Sequence, residues 1–255
     1  MHIASTESPT EASRLVRFEF STTQAYILEL GNLYFRVFKD NGQVTSSGSP
    51  VEVTTTYAEA DLFELKFTQS ADTLYITHPS YKPRKITRTS DTAWTITDIT
   101  FGDGPFLNTN ATDTTLTLSG GTYTKGTTGV TVTASAITGI NSDTGFQTTD
   151  IGRLIRWEDP AGNWTWYTIT AHTSTTVVTV TITGPTASAA TGTVDWRLGV
   201  WSDTTGYPAA VTFHQNRLVF GGGVEFPQRI DMSRTGDFEN FAPTELDGTV
   251  VDDNG

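Results

Sequence analysis

The chain has 255 residues, with 16 Lys and Arg against 28 Asp and Glu, so its formal net charge is −12. Because binding to phosphates needs a basic stripe, this acidic balance argues against a protein that grips nucleic acid. The absence of cysteine excludes disulfides, a thiolate nucleophile and cysteine-ligated metals. No apolar run reaches the roughly 18 residues of a membrane span, so we expect no membrane insertion.

The two ends of the chain are polar. Residues 1–13 are rich in Ser, Thr, Glu and Pro without apolar periodicity, which predicts a flexible extension. Residues 252–255 (Asp-Asp-Asn-Gly) are similar to the start of a calcium loop, but we expect a solvated tail.

A first meander of strands begins at residue 14. The alternation of Val16, Phe18 and Phe20 predicts a strand with these three side chains on one face. Gly31 and Asn32 predict a two-residue hairpin turn between the next two strands. The predicted strands and the turn that closes the meander lie at residues 14–20, 24–30, 33–38 and 40–42.

A short helix and a second meander follow. Residues 57–64 form the one segment with a helical pattern, a turn or two with Leu62 and Leu65 facing inward. The strands predicted after it are residues 66–69, 73–78, 85–88 and 94–99.

A third meander lies near the C-terminal end. A polar turn at Gln215 and Asn216 separates two predicted strands, and a glycine run precedes a third. We interpret five residues as positions whose backbone conformation shapes the turns of this meander: Gly221, Gly222, Gly223, Gly236 and Asp237. The predicted strands are residues 211–214, 217–220 and 229–233.

Polar turns that feed β-rich strands recur along the chain. The first two, at residues 24 and 72, are 48 residues apart, about the length of one four-stranded propeller blade. The third, at residue 216, follows at a similar interval once residues 107–198 are removed. We therefore predict an all-β fold of incomplete β-propeller-like meanders, residues 14–106 and 199–255, interrupted by an inserted domain at 107–198.

The insert is distinguished by its threonine content, 27 residues in alternating runs. Such runs favour strands with one exposed face, and predict a small β-barrel or sandwich that folds largely by itself. A hairpin is predicted at residues 159–162. The core candidates are Ile151, Leu154, Ile155, Trp157, Trp164, Trp166, Ile169, Val178, Val180 and Trp196.

Two interpretations fit the tryptophans Trp157, Trp164, Trp166 and Trp196. They fill the core of the small barrel, or they form a platform on which sugars stack or a partner docks. Because Trp164 and Trp166 share a strand face, one interpretation applies to both.

Carboxylates supply the only candidates for catalysis. Paired acids are what glycoside hydrolysis requires, and such groups occur at Asp98 with Asp103, and at Asp231 with Asp237 and Glu239. In a chain with 28 acids these pairs arise by chance. The histidines His78, His172 and His214 lie far apart in the sequence without a nucleophile motif. We expect no enzyme activity, no cofactor and no metal site.

Three stretches together resemble the tail nozzle proteins of short-tailed bacteriophages, the family that includes tail tubular protein B and the packaged-DNA stabilisation protein. They are residues 14–38, residues 57–79, and the C-terminal meander with its Arg-Leu-Val-Phe-Gly-Gly and Ser-Arg-Thr-Gly-Asp-Phe-Glu-Asn-Phe runs. The resemblance covers residues 14–106 and about 207–247. Family members usually carry additional sequence before and after this region, so we expect the chain to be a fragment, a split gene product or a shortened relative.

The resemblance implies a structural protein of the virion, made in the bacterial host cytoplasm. It implies a six-fold homo-oligomeric ring that closes or lines the DNA ejection channel and docks to portal, adaptor, and tail fibre or needle proteins. DNA would be passing cargo without specific binding, which the negative charge suits because a carboxylate-lined channel does not hold phosphates. The alternative is a carbohydrate-binding adhesin module that uses the tryptophans of the insert.

Overall fold

The computed structural model describes residues 6–8, 10–21, 24–121, 123–187 and 191–250, so the tail at 252–255 and part of the predicted extension lie outside it. The fold is all-β, as predicted, with two single-turn 3₁₀ helices in the described residues. The chain divides into two compact units. One comprises residues 1–99 with 209–212, and the other comprises residues 100–208 with 213–255.

The first unit contains a five-stranded antiparallel sheet in the order β1-β2-β3-β4, with β7 paired to β3. A separate two-stranded ribbon, β5 and β6, extends from it. The strands are β1 (Arg14–Glu19), β2 (Ala25–Gly31), β3 (Tyr34–Lys39), β4 (Gly42–Gln43), β5 (Thr45–Ser46), β6 (Ser49–Pro50) and β7 (Glu52–Thr54).

Two predictions for this sheet were wrong in detail. Phe20 does not share the buried face of Phe18, because β1 ends at Glu19 and the Phe20 ring lies at the surface under the Arg88 guanidinium. The hairpin turn consists of Asn32 and Leu33, since Gly31 still pairs with Tyr34 in the ladder. The turn at residues 40–42 is confirmed, with Asp40 and Asn41 both at positive φ.

The predicted helix at 57–64 is also wrong, because only Glu59–Asp61 forms a 3₁₀ turn. Leu62 and Leu65 are nevertheless fully buried, as predicted. A four-stranded antiparallel sheet follows in the order β11-β10-β9-β8. Its strands are β8 (Lys66–Ser70), β9 (Thr73–His78), β10 (Tyr81–Arg88) and β11 (Trp94–Asp98).

One hydrophobic core serves both sheets of the first unit. At its centre the rings of Phe18, Tyr26 and Trp94 meet edge to face, with centroids 4.9 to 6.2 Å apart. Each sheet thus covers the apolar face of the other, which neither meander could bury alone.

The second unit is built around a six-stranded antiparallel sheet in the order β12-β13-β16-β15-β14-β17. A bridge between Leu116 and Thr193 joins β12 to the segment before β17, so the sheet curls toward a barrel. The hairpin predicted at residues 159–162 connects β14 to β15. The elements are β12 (Leu116–Leu118), β13 (Val130–Ala134), a 3₁₀ turn (Thr148–Asp150), β14 (Leu154–Glu158), β15 (Trp164–Ser174), β16 (Val177–Ile182) and β17 (Trp196–Leu198).

A three-stranded antiparallel sheet comes last in the described chain: β18 (Ala210–His214), β19 (Arg217–Gly221) and β20 (Ile230–Met232). The predicted polar turn at Gln215 and Asn216 is present, with both residues at positive φ. Of the predicted turn glycines, Gly222 and Gly236 have positive φ, whereas Gly221 ends β19. Asp237 closes the Gly236 turn through its amide, which donates to the Arg234 carbonyl.

Residues 107–198 contain a hydrophobic core of their own, and they group with residues 213–255 in one compact unit. The physical reason lies in polar contacts that residues of the insert make with the C-terminal segment. Arg156 donates to the Thr244 hydroxyl, and the Trp164 amide donates to the Leu246 carbonyl. Separating the two parts would leave the fully buried Arg156 without its Thr244 acceptors.

Candidate functional site

The four predicted tryptophans fall into two pairs on opposite faces of the six-stranded sheet. Trp157 and Trp196 belong to its hydrophobic core. The Trp157 indole N–H donates to the Leu116 carbonyl at 3.1 Å, and that of Trp196 donates to the Thr114 carbonyl at 2.9 Å. The core interpretation is thus confirmed for this pair.

Trp164 and Trp166 lie outside that cluster. The core interpretation was wrong for the half-buried Trp166, whereas Trp164 is buried. On β15 the core side chains are Tyr167 and Ile169, and alternation points the even-numbered residues to the outer face. Of the other core candidates, Ile151 is exposed and Leu154 is half-buried. Trp166 is half-buried, while Trp164 is only 7% exposed although it is on the outer face.

A group of arginines surrounds Trp164. Arg156 on β14 stands directly opposite Arg197 on β17 and opposite Trp166 on β15. Both guanidiniums lie over the Trp164 ring, 5.0 Å and 5.3 Å from its centroid. We call Arg156, Arg197, Arg234, Asp103 and Glu245 the arginine cluster.

One buried carboxylate faces these cations. Asp103 Oδ2 lies 3.3 Å from Arg156 Nη2. Burial raises the pKa of Asp103 to about 6, against the opposing fields of Arg156, Arg234 and Arg197. Burial also lowers the pKa of both Arg156 and Arg197.

The arginine cluster is incompletely hydrogen-bonded. Arg156 Nε and Asp103 Oδ1 have no hydrogen-bond partner among the described residues, and neither do Arg197 Nε and Arg234 Nε. Buried polar atoms without partners are rare, so these four atoms mark an unusual polar region on the outer face of the sheet.

Residues 244–250, the C-terminal hairpin, cover the cluster. The Glu245 amide donates to the Thr249 carbonyl at 2.8 Å, and Thr244 bridges to Val250. The Asp247 carboxylate accepts from the amide and hydroxyl of Thr249, at 3.0 Å and 2.7 Å. The hairpin therefore holds its shape by its own bonds.

The hairpin is bound to the sheet through polar atoms. The Trp164 amide donates to the Leu246 carbonyl at 2.6 Å. Arg156 donates to the hydroxyl and carbonyl of Thr244, at 2.7 Å and 3.1 Å, and Arg234 pairs with the Glu245 carboxylate at 2.9 Å. We call Arg156, Trp164 and Arg234 the seat of the hairpin.

In chemical terms, the seat recognises an extended segment that bears carbonyl oxygens and a carboxylate. Guanidiniums bind such oxygens strongly, and the flat indole offers contact area between them. Sequence reasoning missed the arginines, although the alternation over Leu154, Ile155, Arg156 and Trp157 already placed Arg156 opposite the core.

The predicted carboxylate groups are engaged in ion pairs or lie apart from one another. Asp98 pairs with Arg84 in the first unit, at 2.7 Å, whereas Asp103 belongs to the second unit. Asp231 pairs with Arg229, and burial raises its pKa. Asp237 is exposed and Glu239 half-buried.

The histidines have separate surroundings. His78 is buried 3.4 Å from the Glu64 carboxylate. His172 Nε2 lies 3.0 Å from the Phe146 carbonyl, and His214 is exposed.

In the part of the chain that the structure describes, no group of three or more His, Cys, Asp or Glu side chains could hold a metal ion. Within the same ranges, no helix has the length and apolarity needed to cross a membrane. Comparison with protein-family models and with curated proteins gives no match.

Proposed function

We propose that this protein is a self-associating structural subunit of a bacteriophage tail, of the nozzle type, that lines or closes the channel for DNA ejection. The observation that carries the proposal is an edge strand that carries an exposed apolar side chain and pairs on one side only among the described residues. Strand β20 ends its sheet, and Ile230 on it is 65% exposed, with the exposed Val224 nearby in the chain. An apolar edge strand favours pairing with another chain.

A second edge in the other unit supports the same proposal. Strand β1 ends the five-stranded sheet, and its Leu15 is 68% exposed. The resemblance of residues 14–106 to tail nozzle proteins supports the assignment to a phage tail. Its implied partners are a ring of identical copies, portal and adaptor proteins, and tail fibre or needle proteins.

The carbohydrate-binding alternative ranks second. Of the four tryptophans, Trp157 and Trp196 are in the core and Trp164 is covered, which leaves Trp166 as the partly exposed one. A sugar platform usually requires an open aromatic face, so this arrangement favours the structural role.

Two measurements test the proposal. Immunogold electron microscopy of virus particles that contain this protein should label the tail, and label on the capsid or absent from particles would contradict it. Sedimentation should show self-association that Ile230→Lys or Leu15→Lys weakens. The matched control Ile137→Lys changes a partly exposed isoleucine outside the strands and should leave association unchanged.

A further inference from the structure

We propose that the C-terminal hairpin is exchanged between neighbouring copies, so that the seat of one copy holds residues 244–250 of the next. This inference rests on the proposed self-association and names the segment that would mediate it. The partner is therefore a second copy of this chain.

The first argument is the chemistry of the contact. Arg156, Trp164 and Arg234 bind carbonyls, a hydroxyl and a carboxylate of the hairpin, and each of these acceptors belongs to residues 244–246. The same segment of a second copy offers the same atoms in the same order. Exchange therefore keeps every bond, which is why swapped elements are a low-cost route to assembly.

The second argument is that the hairpin's own apolar side chains contribute little to holding it on the sheet. Its apolar side chains point largely to solvent, with Leu246 42% exposed and Val250 76% exposed. Detachment therefore breaks mainly the polar contacts of the seat and uncovers the Trp164 ring. Segments of this kind open locally well before the core unfolds.

The third argument is the point at which the hairpin leaves the folded body. Phe241 and Ala242 are buried, and the exposed hairpin begins just after Pro243. Proline restricts the residue before it to extended conformations, so the chain leaves the folded body in a fixed direction. Because the hairpin carries its own internal bonds, it would move past this point as a preformed piece.

The fourth argument concerns the state that detachment leaves behind. Opening exposes the Trp164 ring and leaves Arg156 with Asp103 as its remaining charged partner. Arg156 Nε already lacks a partner among the described residues. An open seat therefore favours recapture of an acceptor-rich segment, and a neighbour in an assembly supplies that segment at high effective concentration.

The experiment uses the absence of cysteine. The double variant carries Asn163→Cys and Leu246→Cys. Leu246 accepts the hydrogen bond from the Trp164 amide, and Asn163 precedes Trp164 in the chain, so the two thiols lie at or next to the two ends of this bond. Light and isotopically heavy copies are mixed, unfolded in urea, refolded together and treated with a short bismaleimide. Linked peptides are then sorted by mass as light–light, heavy–heavy or light–heavy.

Exchange predicts that the fraction of light–heavy links rises to about half of all links as concentration increases. One half is the fraction expected when every link joins two randomly paired copies. The control pair Asn163→Cys and Glu225→Cys places the second thiol at an exposed site outside the hairpin and measures the background. A synthetic peptide of residues 243–250 should compete and reduce the light–heavy fraction.

Light scattering on the same samples separates the two proposals. Self-association with links confined to single copies overturns the exchange and leaves the proposed function standing. If the peptide binds but no light–heavy links form, the exchange is also overturned, because the seat would then bind a free acidic segment and not a neighbour's hairpin. A monomer at all concentrations would contradict both proposals.

Discussion

Arg156 and Arg197 stand directly opposite each other on adjacent strands, with the Trp164 ring about 5 Å from both guanidiniums. Like charges opposite one another in a sheet are destabilising unless an anion lies between or beside them. Asp103 supplies that anion, although it lies outside the strands of the sheet. The arginine cluster thus connects the outer face of the sheet to the segment around Asp103, which precedes the first strand of that sheet.

We predict that Arg156→Met destabilises the second unit by about 3 kcal/mol, because it leaves the buried Asp103 carboxylate without its closest cation. In the double variant Arg156→Met and Asp103→Asn, the loss of unfolding free energy should be smaller than the sum of the two single losses by at least about 1 kcal/mol. Urea unfolding of the four proteins in this cycle measures the coupling. Additive effects would mean that the pair contributes nothing specific.

The raised pKa of Asp103, about 6, predicts a pH dependence of stability. Since an unfolded Asp titrates near 3.9, the native state holds the proton more tightly. The resulting stability is fully present below about pH 4 and is lost as the pH rises through 6, a change on the order of 2–3 kcal/mol.

Arg156, Arg234, Arg197 and Glu245 face the Asp103 carboxyl, so the test must remove this group alone. Asp103→Asn should flatten the slope of unfolding free energy between pH 4 and 7. Asp98→Asn, which removes an exposed carboxyl, should leave the slope in place. An unchanged slope in Asp103→Asn would assign the dependence to another group.

We predict that truncating a tryptophan of one pair lowers the free energy of unfolding more than truncating one of the other pair. Trp157→Ala removes a fully buried ring and its hydrogen bond to the Leu116 carbonyl, for a loss of about 3–5 kcal/mol. Trp166→Ala, on the outer face and half-buried, should cost less than half as much. Thermal unfolding monitored by circular dichroism measures both, and equal losses would contradict the assignment of faces.

Local sequence rules predicted much of the fold and little of the candidate site. Strand Thr73–His78 and the turns at residues 40–42 and 215–216 match because alternation and turn residues act over a few positions. The helix at 57–64 failed because a contact distant in sequence shapes that segment: the Arg14 guanidinium donates to the carbonyls of both Leu62 and Leu65.

The cover of Trp164 could not be predicted, because its partner Leu246 lies 82 positions further along the chain. Alternation placed Trp164 and Trp166 on one face but carried no information on which face meets the core. Ile155 and Trp157 held that information, since they alternate with Arg156 on β14.

Two glycines at positive φ should respond differently to alanine. Gly126 has φ +92° with open space at the Cβ position, so Gly126→Ala should cost about 1–2 kcal/mol from backbone strain alone. At Gly145, φ +80°, a Cβ would also collide with the Thr175 carbonyl oxygen. Gly145→Ala should therefore cost clearly more, and equal losses in urea unfolding would show that the loop relaxes.

Seating of the hairpin should be measurable at one amide. The Trp164 N–H donates to the Leu246 carbonyl, so its hydrogen exchange reports detachment of the hairpin. Thr244→Val keeps the shape of the side chain but removes the acceptor of Arg156 Nη1, a loss of about 1–1.5 kcal/mol. Exchange at Trp164 should then accelerate about five- to tenfold.

The Ile169 amide is the matched reference, because it lies on the same strand but donates to the Arg153 carbonyl. Its exchange should be unchanged in Thr244→Val. Equal acceleration at both amides would mean that the whole strand opens and that the hairpin has no motion of its own. Acceleration confined to Trp164 is what a separately detaching hairpin requires, because its bonds to the seat then break while the sheet stays intact.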